Sequence, residues 1–235
     1  MASIGETRRS PRWSRVKLGV VVTVLLVVSG VQTAVHLASA DVIIVTLPGC
    51  VVDPGDLVAW WKGENDLTAQ IGPNLTGSVP FGDGLIGEAM IFDGTNTTYA
   101  NPFPTLSGPL TVEMWVKPVH TDRMQTLMSR WDFPSADDSA RAYVLMLAPN
   151  GHLLWSTDET STRRPDELSG PVPPPLDIFD GQYHHIAATW DTSQMVVYFD
   201  GSPALSKPSQ GGALNPASTT QFRLGSKAGL GDPFF

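Results

Sequence analysis

The chain has 235 residues and is acidic, with 23 Asp and Glu side chains against 15 Lys and Arg. Its first 40 residues hold five of the basic side chains and one of the acidic ones, so the remainder carries a formal charge of −12. Nucleic acid binding needs clustered basic residues. The one close basic pair after residue 40 is Arg163-Arg164, with Glu159, Asp166 and Glu167 around it, so the composition argues against a nucleic acid partner.

The first 40 residues are predicted to be a signal peptide. A basic stretch precedes an apolar run over residues 18–31, and the small residues Ala38 and Ala40 precede Asp41, as at a signal cleavage site. Cleavage there predicts a secreted or cell-surface protein. The alternative is an uncleaved membrane anchor, a helix over about residues 18–37, since about 20 residues can span the hydrocarbon core. In both cases the domain lies outside, and the membrane is a partner only through this segment.

Residues 41–56 are predicted to be a linker and residues 57–235 a single all-β domain. This length supports one sandwich core and is short for two ordinary domains. Cys50, in the linker, is the one cysteine of the chain, so no intrachain disulfide can form. Apolar residues recur with period two in short runs between Gly, Pro, Asn and Asp, which predicts a many-stranded antiparallel sandwich.

The predicted strands alternate apolar and polar residues. In the run LTVEMWVKP, one face holds Leu110, Val112, Met114 and Val116, and the other holds Thr111, Glu113, Trp115 and Lys117. Further strands are predicted over residues 57–61, 142–147, 152–156, 183–190, 195–199, 204–206 and 221–224.

Two connections can be predicted between these strands. Asn150-Gly151 predicts a two-residue hairpin turn with positive φ at both positions, which would pair the strands on either side of it. Residues 158–175 contain five prolines. Because proline cannot donate to a strand ladder, we expect a surface loop there.

The stretch FDGQYHHIAATWDTSQMVVYFDG, residues 179–201, carries a family resemblance. Together with LVAWW at 57–61, IGEAMIFDG at 86–94 and LTVEMWVKP at 110–118, it resembles bacterial laminin-G-like modules of the concanavalin A-like superfamily. The resemblance implies an antiparallel two-sheet jelly roll. Such modules usually finish with a strand of the type D-E-V-x-x-Y, and this sequence ends at Phe235 before one. The resemblance therefore implies a C-terminally incomplete domain.

Catalytic patterns are missing from the sequence. Retaining glycosidases on this fold place carboxylates at alternate positions of one strand, and Glu113 stands alone in its strand. His184 and His185 are adjacent, so they point to opposite faces and cannot readily act on one metal or substrate. We interpret them as structural, one facing the core and one the outer face. The sequence predicts no enzyme.

Two ligand sites remain open at the level of sequence. Many relatives bind calcium through loop carboxylates and carbonyls, but the run Phe92 to Tyr99 has Asn96-Thr97 where related modules have an acidic pair. That difference weakens calcium binding at this loop, and calcium is left as an alternative without assigned ligands. Trp131, at a strand end, is the candidate for contact with a ligand, and packing under the following loop is the alternative.

The sequence thus predicts an exported, non-catalytic binding or adhesion module for extracellular carbohydrate or protein. The alternative is a structural accessory module of a larger cell-surface or secreted protein. A glycoside hydrolase is the less favoured third class. This function follows from the family resemblance, because a fold alone does not determine a ligand.

Overall fold

A computed structural model of the chain describes residues 56–132, 140–159, 165–216 and 220–226. The predicted N-terminal helix, the cleavage residues Ala38 and Ala40, Cys50 and the C-terminal residues 227–235 lie outside these ranges. Within them, no helix has the length and apolar character needed to cross a membrane.

The described ranges contain fifteen strands. They are β1 (Trp60–Trp61), β2 (Ala69–Ile71), β3 (Thr76–Ser78), β4 (Phe81–Asp83), β5 (Glu88–Met90), β6 (Thr97–Ala100), β7 (Leu110–Val116), β8 (Gln125–Trp131), β9 (Arg141–Leu147), β10 (His152–Thr157), β11 (Asp166–Pro171), β12 (His184–Trp190), β13 (Gln194–Phe199), β14 (Ser202–Pro208) and β15 (Phe222–Leu224).

The strands form antiparallel sheets, which confirms the all-β prediction. A seven-stranded sheet has the order β11-β10-β9-β8-β15-β6-β3, and a four-stranded sheet has the order β14-β13-β12-β7. Two small sheets pair β1 with β2 and β4 with β5. Side chains from both larger sheets share one core, with Tyr143 and Trp155 from the seven-stranded sheet and Ile186, Trp190 and Phe199 from the four-stranded sheet. This arrangement is that of a jelly-roll sandwich.

The four-stranded sheet follows the alternation of its sequence. In β7 the side chains of Thr111, Glu113 and Trp115 are exposed, and those between them are buried or half-buried. β12 pairs with β7 in continuous register from His184↔Val116 to Trp190↔Leu110. The turn between β12 and β13 is the predicted one, because the Asp191 carboxylate accepts hydrogen bonds from the backbone N–H groups of Ser193 and Gln194.

The hairpin between β9 and β10 is confirmed, but its predicted turn type is wrong. The loop has four residues, closed by bonds from Ala148 N to His152 O (2.8 Å) and from Gly151 N to Ala148 O (2.9 Å). Gly151 has a φ of 79°, whereas Asn150 is not in the left-handed region. Pro149 accounts for the difference, because its fixed φ suits the second position of a type I turn, which a left-handed glycine then completes.

The prediction of a surface loop over residues 158–175 is also wrong for the central part of this range. There β11 pairs with β10 along its whole length, from Thr157↔Asp166 to His152↔Pro171. The prolines do not prevent this pairing, since Pro165 precedes the strand and Pro171 ends it. β11 is moreover an edge strand, so it needs ladder partners on one side only.

β11 also lies beside β14, an edge strand of the four-stranded sheet. Lys207 of β14 contacts the buried carboxylate of Asp166 and donates to the Glu167 carbonyl at 2.9 Å. Gly170 lies so close to Leu205 that an added Cβ would stand 2.7 Å from its Cδ2. Side chains therefore tie the two sheets together at this margin of the sandwich.

Candidate functional site

The adjacent histidines of β12 lie on opposite faces of the four-stranded sheet, as predicted. His184 is buried on the inner side, against the ring of Phe199 at a centroid distance of 4.6 Å. His185 is half-buried on the outer side, 5.2 Å from the ring of Trp115. The two side chains therefore have separate environments and roles.

His184 is held between two carboxylates. Its Nδ1 lies 2.9 Å from Asp200 Oδ2, and its Nε2 lies 3.0 Å from Asp180 Oδ1. Burial lowers the pKa of His184, but the hydrogen bonds to Asp200 and Asp180, together with their charges, outweigh burial and raise the pKa above its usual value. Since carboxylates only accept, both hydrogen bonds are made together only when both ring nitrogens carry a proton, which is the imidazolium form. This arrangement fixes the β12–β13 hairpin to the loop before β12.

The outer side of β7 and β12 carries an exposed group of polar and aromatic side chains, which we call the outer strip: Glu113, Trp115, Lys117, Tyr183 and His185. Trp115 lies at the centre of this group. Its side chain is 56% exposed, although the residue belongs to strand β7 rather than to a loop. On the neighbouring strand, His185 is its direct cross-strand partner. The His185 Nε2 is 3.6 Å from the Glu113 carboxylate, which is 66% exposed.

The other end of the outer strip is positively charged. The Lys117 ammonium lies 5.5 Å from the centre of the Tyr183 ring, within the range of a cation–π interaction. The Tyr183 hydroxyl donates to the carbonyl of Asp83 at 2.7 Å, at the end of β4. These contacts hold the Tyr183 side chain in one position.

The groups of the outer strip are suited to binding a ligand. Trp115 offers an apolar ring, while Glu113 and His185 offer an acceptor and an imidazole beside it. Their Cβ atoms are fixed on two paired strands, so the backbone does not need to be ordered when a ligand covers them. The strip contains one carboxylate, whereas glycoside hydrolysis uses a pair.

Trp131, the ligand candidate from sequence, is placed differently from Trp115. It is 7% exposed and packs with Val144, Met146 and the half-buried Leu154. The guanidinium of Arg141 lies 5.7 Å from its ring centre. Residues 133–139, the loop that follows it, are outside the described ranges. Its contact with a ligand stays a prediction.

The loop considered for calcium is a hydrogen-bonded turn. Asp93 Oδ1 accepts from the backbone N–H of Thr95 (2.9 Å), from the Thr95 hydroxyl (2.7 Å) and from Asn96 N (3.2 Å). The backbone hydrogen bond from Thr95, followed by the one from its hydroxyl, lowers the pKa of Asp93. No group of three or more His, Cys, Asp and Glu side chains that could hold a metal ion occurs in the described part of the chain. Calcium binding stays a prediction.

The alternation in the sequence of β7 predicts that Trp115 is exposed, but Trp131 was chosen as the ligand candidate instead. Period two places Trp115 on the same face as Thr111, Glu113 and Lys117, and a tryptophan on the polar face of a strand must be exposed or covered by another element. The Asp180–His184–Asp200 group was also missed. It is formed by two Asp-Gly turns, at 180–181 and 200–201, which flank the two-histidine strand and its partner.

Comparison with protein families gives a match over more than half of the chain. The family model is of the third laminin G type, described as concanavalin A-like lectin/glucanases superfamily, and it matches residues 92–235. A search of curated protein sequences finds no significant match.

The chain is similar to several solved structures at low sequence identity. Domain 4 of AbnA, a GH43 extracellular arabinanase from Geobacillus stearothermophilus solved with arabinotriose, has a TM-score of 0.51 and 20% identity, over 75% of this chain and 85% of that domain. The enzymatically active domain of tailspike protein 2 from bacteriophage CBA120 has a TM-score of 0.50 and 14% identity, over 69% of this chain and 27% of that one. The binding domain of botulinum neurotoxin serotype G has a TM-score of 0.46 and 14% identity, over 68% of this chain and 45% of that one.

Proposed function

Since the chain belongs to the laminin-G-like group of the concanavalin A-like lectin/glucanases superfamily, we propose that it is an exported, non-catalytic module that binds extracellular carbohydrate through its outer strip. Proteins of this superfamily include both binding modules and enzymes, so the residues of the site decide between them. A structurally similar domain was solved with arabinotriose, so the fold is compatible with an oligosaccharide ligand.

The exposure of Trp115 is the observation that carries this proposal. Covering about 100 Å² of its ring would contribute about 2.5 kcal/mol, whereas millimolar affinity corresponds to about 4 kcal/mol. The ring alone is therefore too weak, and neighbouring hydrogen-bonding groups must supply the rest. Glu113 and His185 stand beside the ring and can bond to hydroxyl groups, so the strip combines the two kinds of contact that a sugar needs.

The inference of a non-catalytic role rests on the chemistry of the outer strip. Hydrolysis of a glycosidic bond needs an acid and a second carboxylate on opposite sides of the bond. Glu113 is the carboxylate of the strip, and it is exposed to water on an open sheet surface. A second carboxylate facing it across a bound sugar would have to come from outside the strip.

Export is supported by the N-terminal sequence. The small residues Ala38 and Ala40 follow an apolar run and precede an acidic domain, as in a signal peptide. An uncleaved anchor over about residues 18–37 would also leave the domain outside the membrane. Both routes give a secreted or surface-bound module that meets extracellular glycans.

A glycan array with the purified protein tests the proposal. We expect saturable binding to one class of saccharide, at least tenfold weaker after Trp115→Ala. Trp60→Ala is the matched control, because Trp60 is also a strand tryptophan with a largely exposed side chain, at 46%. Adding a chelator in a parallel series tests the calcium alternative.

The outcomes separate the function classes. Binding that Trp115→Ala removes and Trp60→Ala leaves intact supports the outer strip. Binding that survives both substitutions places the carbohydrate site elsewhere, and Trp131→Ala is then the next variant. A folded protein that binds no glycan contradicts the proposal and leaves the protein-ligand and structural-accessory alternatives.

A further inference from the structure

The face of the four-stranded sheet that carries the outer strip continues from β7 across β12 to β13. β12 pairs with both neighbours in continuous register, and Ala187 is the direct partner of Glu113 on one side and of Tyr198 on the other. Trp115 and His185 form the adjacent cross-strand pair. Directly opposite residues of paired strands place their side chains on one face. Tyr198 therefore lies on the same face as the outer strip.

The burial pattern of β13 agrees with this placement of Tyr198. Tyr198 is half-buried, and the residues on either side of it are buried. A β-bulge also lies beside Tyr198, because the partner on β14 changes from Leu205 opposite Val197 to Pro203 opposite Tyr198. Bulges redirect side chains and are frequent next to functional sites. The inner face of β13 holds three core side chains, those of Met195, Val197 and Phe199.

The spacing between Trp115 and Tyr198 is that of a short chain of sugars. Their Cα atoms are about 12 Å apart, since the path crosses two strand spacings of about 4.8 Å and two residues of about 3.4 Å. This separation is longer than one sugar ring. Ala187 lies on β12 between the two aromatic residues. Because its side chain is a single methyl group, a ligand can pass over this position from one ring to the other.

The side chains around Trp115 favour a ligand that lies across the strands rather than along β7. Along β7, the residues next to Trp115 on the same face are Glu113 and Lys117, which are both charged. The nearby ring of Tyr183 has the Lys117 ammonium above it, and its hydroxyl is bonded to the Asp83 carbonyl. A sugar chain along β7 would therefore meet charged groups on both sides of Trp115, whereas a chain across the sheet reaches a second aromatic ring.

We propose that Tyr198 is a second aromatic contact of the carbohydrate site, and that the ligand is a linear oligosaccharide that lies across β7, β12 and β13, with one sugar on Trp115 and a later one on Tyr198. This inference rests on the proposed carbohydrate function and specifies its ligand class. Such a site recognises a glycan along its chain instead of by a single terminal sugar. Its affinity must therefore increase with the length of the glycan.

The dependence of affinity on chain length is the first test. Full-length protein is titrated, with detection by nuclear magnetic resonance, with linear oligosaccharides of arabinose, xylose, mannose, glucose or galactose, each from monosaccharide to tetrasaccharide. In one series we expect the tetrasaccharide to bind roughly eightfold more tightly than the monosaccharide, for about 50 Å² of the Tyr198 ring covered. Equal affinity at all lengths overturns the inference, and so does absence of binding in all five series. Binding that depends on Trp115 elsewhere on the glycan array would then leave the proposed function intact.

Substitution of Tyr198 tests whether this residue produces the gain. Tyr198→Ala should weaken tetrasaccharide binding roughly eightfold and leave monosaccharide binding on Trp115 unchanged. Tyr198→Phe keeps the ring and should keep most of the gain. Val196→Ala is the matched control, because Val196 is half-buried on the same face of β13 but lies further from Trp115. A gain with chain length that survives Tyr198→Ala overturns the inference, whereas binding at all lengths that survives Trp115→Ala contradicts the proposed function.

A measurement on the unsubstituted protein keeps the test decisive if Tyr198→Ala fails to fold. The side-chain resonances of Trp115 and Tyr198 are followed in the same titrations. We expect the tetrasaccharide to shift the resonances of both rings, and the monosaccharide to shift mainly those of Trp115. Resonances of Tyr198 that stay in place at saturation with the tetrasaccharide, while those of Trp115 move, would refute the second contact and leave Trp115 as a single-sugar site.

Discussion

The two faces of the four-stranded sheet assign opposite roles to neighbouring residues of one strand. His184 lies on the inner face, is buried, and has both ring nitrogens bonded to carboxylates. His185 lies on the outer face, between an exposed tryptophan and an exposed glutamate. Alternation with period two produces this division. Substitutions on the inner face should therefore change stability, and substitutions on the outer face should change binding.

The same comparison holds for the two tryptophans that the sheet presents on its opposite faces. Trp190 of β12 is fully buried, and its indole N–H donates to Ser209 Oγ at 3.0 Å. Trp115 of β7 is more than half exposed. A sheet that separates its core-packing side chains from its exposed side chains in this way can accept changes on its surface without rebuilding its core.

The largest expected effect comes from exchanging these tryptophans for alanine. Trp190→Ala should lower the free energy of unfolding by about 3–5 kcal/mol, because it leaves a large cavity in the core. Trp115→Ala should lower it by less than about 1 kcal/mol. Urea unfolding followed by circular dichroism measures both values. Equal losses for the two variants would mean that the outer face is covered in solution.

The next effect is a pH dependence that belongs to His184. A folded-state pKa raised above the unfolded value means that the imidazolium stabilises the fold fully below pH 6.5, and that this contribution is lost as the pH rises through the folded pKa.

At the acid end, the backbone hydrogen bond from Gln182 is the first cause of a lowered pKa for Asp180. That carboxylate's contribution is present above about pH 3.8 and is lost as the pH falls through its folded pKa.

The substitution His184→Gln measures this contribution. We expect it to cost about 2 kcal/mol at pH 5.5, because it removes a charge-assisted hydrogen bond and the charge between two carboxylates. The cost should shrink as the pH is raised above 6.5. His185→Gln, on the outer face, should cost less than about 1 kcal/mol. A cost for His184→Gln that stays constant from pH 5.5 to pH 9 would show that the ring is not charged in the folded protein.

The long alternating strands could be predicted from sequence, whereas several of the short ones, β2, β3 and β4 among them, could not. β7, β12 and β13 have six or seven residues with clear period two, and the hairpin between β12 and β13 has a turn built on Asp191. β2, β3 and β4 have three residues each, and the middle residue of β3 and of β4 is a glycine, Gly77 and Gly82. Such strands form because neighbouring strands pair with them, and the local sequence pattern does not predict this pairing.

The candidate site shows the same division between local and non-local information. The outward direction of Glu113, Trp115 and Lys117 was readable from β7 alone. Their association with His185 and Tyr183 depends on the register between β7 and β12, which are separated by more than 60 residues of chain. β11 was missed in the same way, because the number of prolines in residues 158–175 predicted a loop. Their positions next to the strand and at its end become clear only from the pairing of β11 with β10.

The smallest expected effect on stability comes from Glu113 in the outer strip. Its contact with His185, 3.6 Å long and largely exposed, should contribute less than about 0.5 kcal/mol to folding, as exposed ion pairs usually do. Glu113→Gln should therefore leave the unfolding midpoint nearly unchanged. If the carboxylate bonds to a sugar hydroxyl, the same substitution should weaken binding to the glycan class found on the array about tenfold, because a hydrogen bond to a charged group is worth more than one to an amide. Isothermal titration calorimetry with that glycan gives the affinity. A variant that loses stability but keeps its affinity would reverse the roles assigned to the two faces.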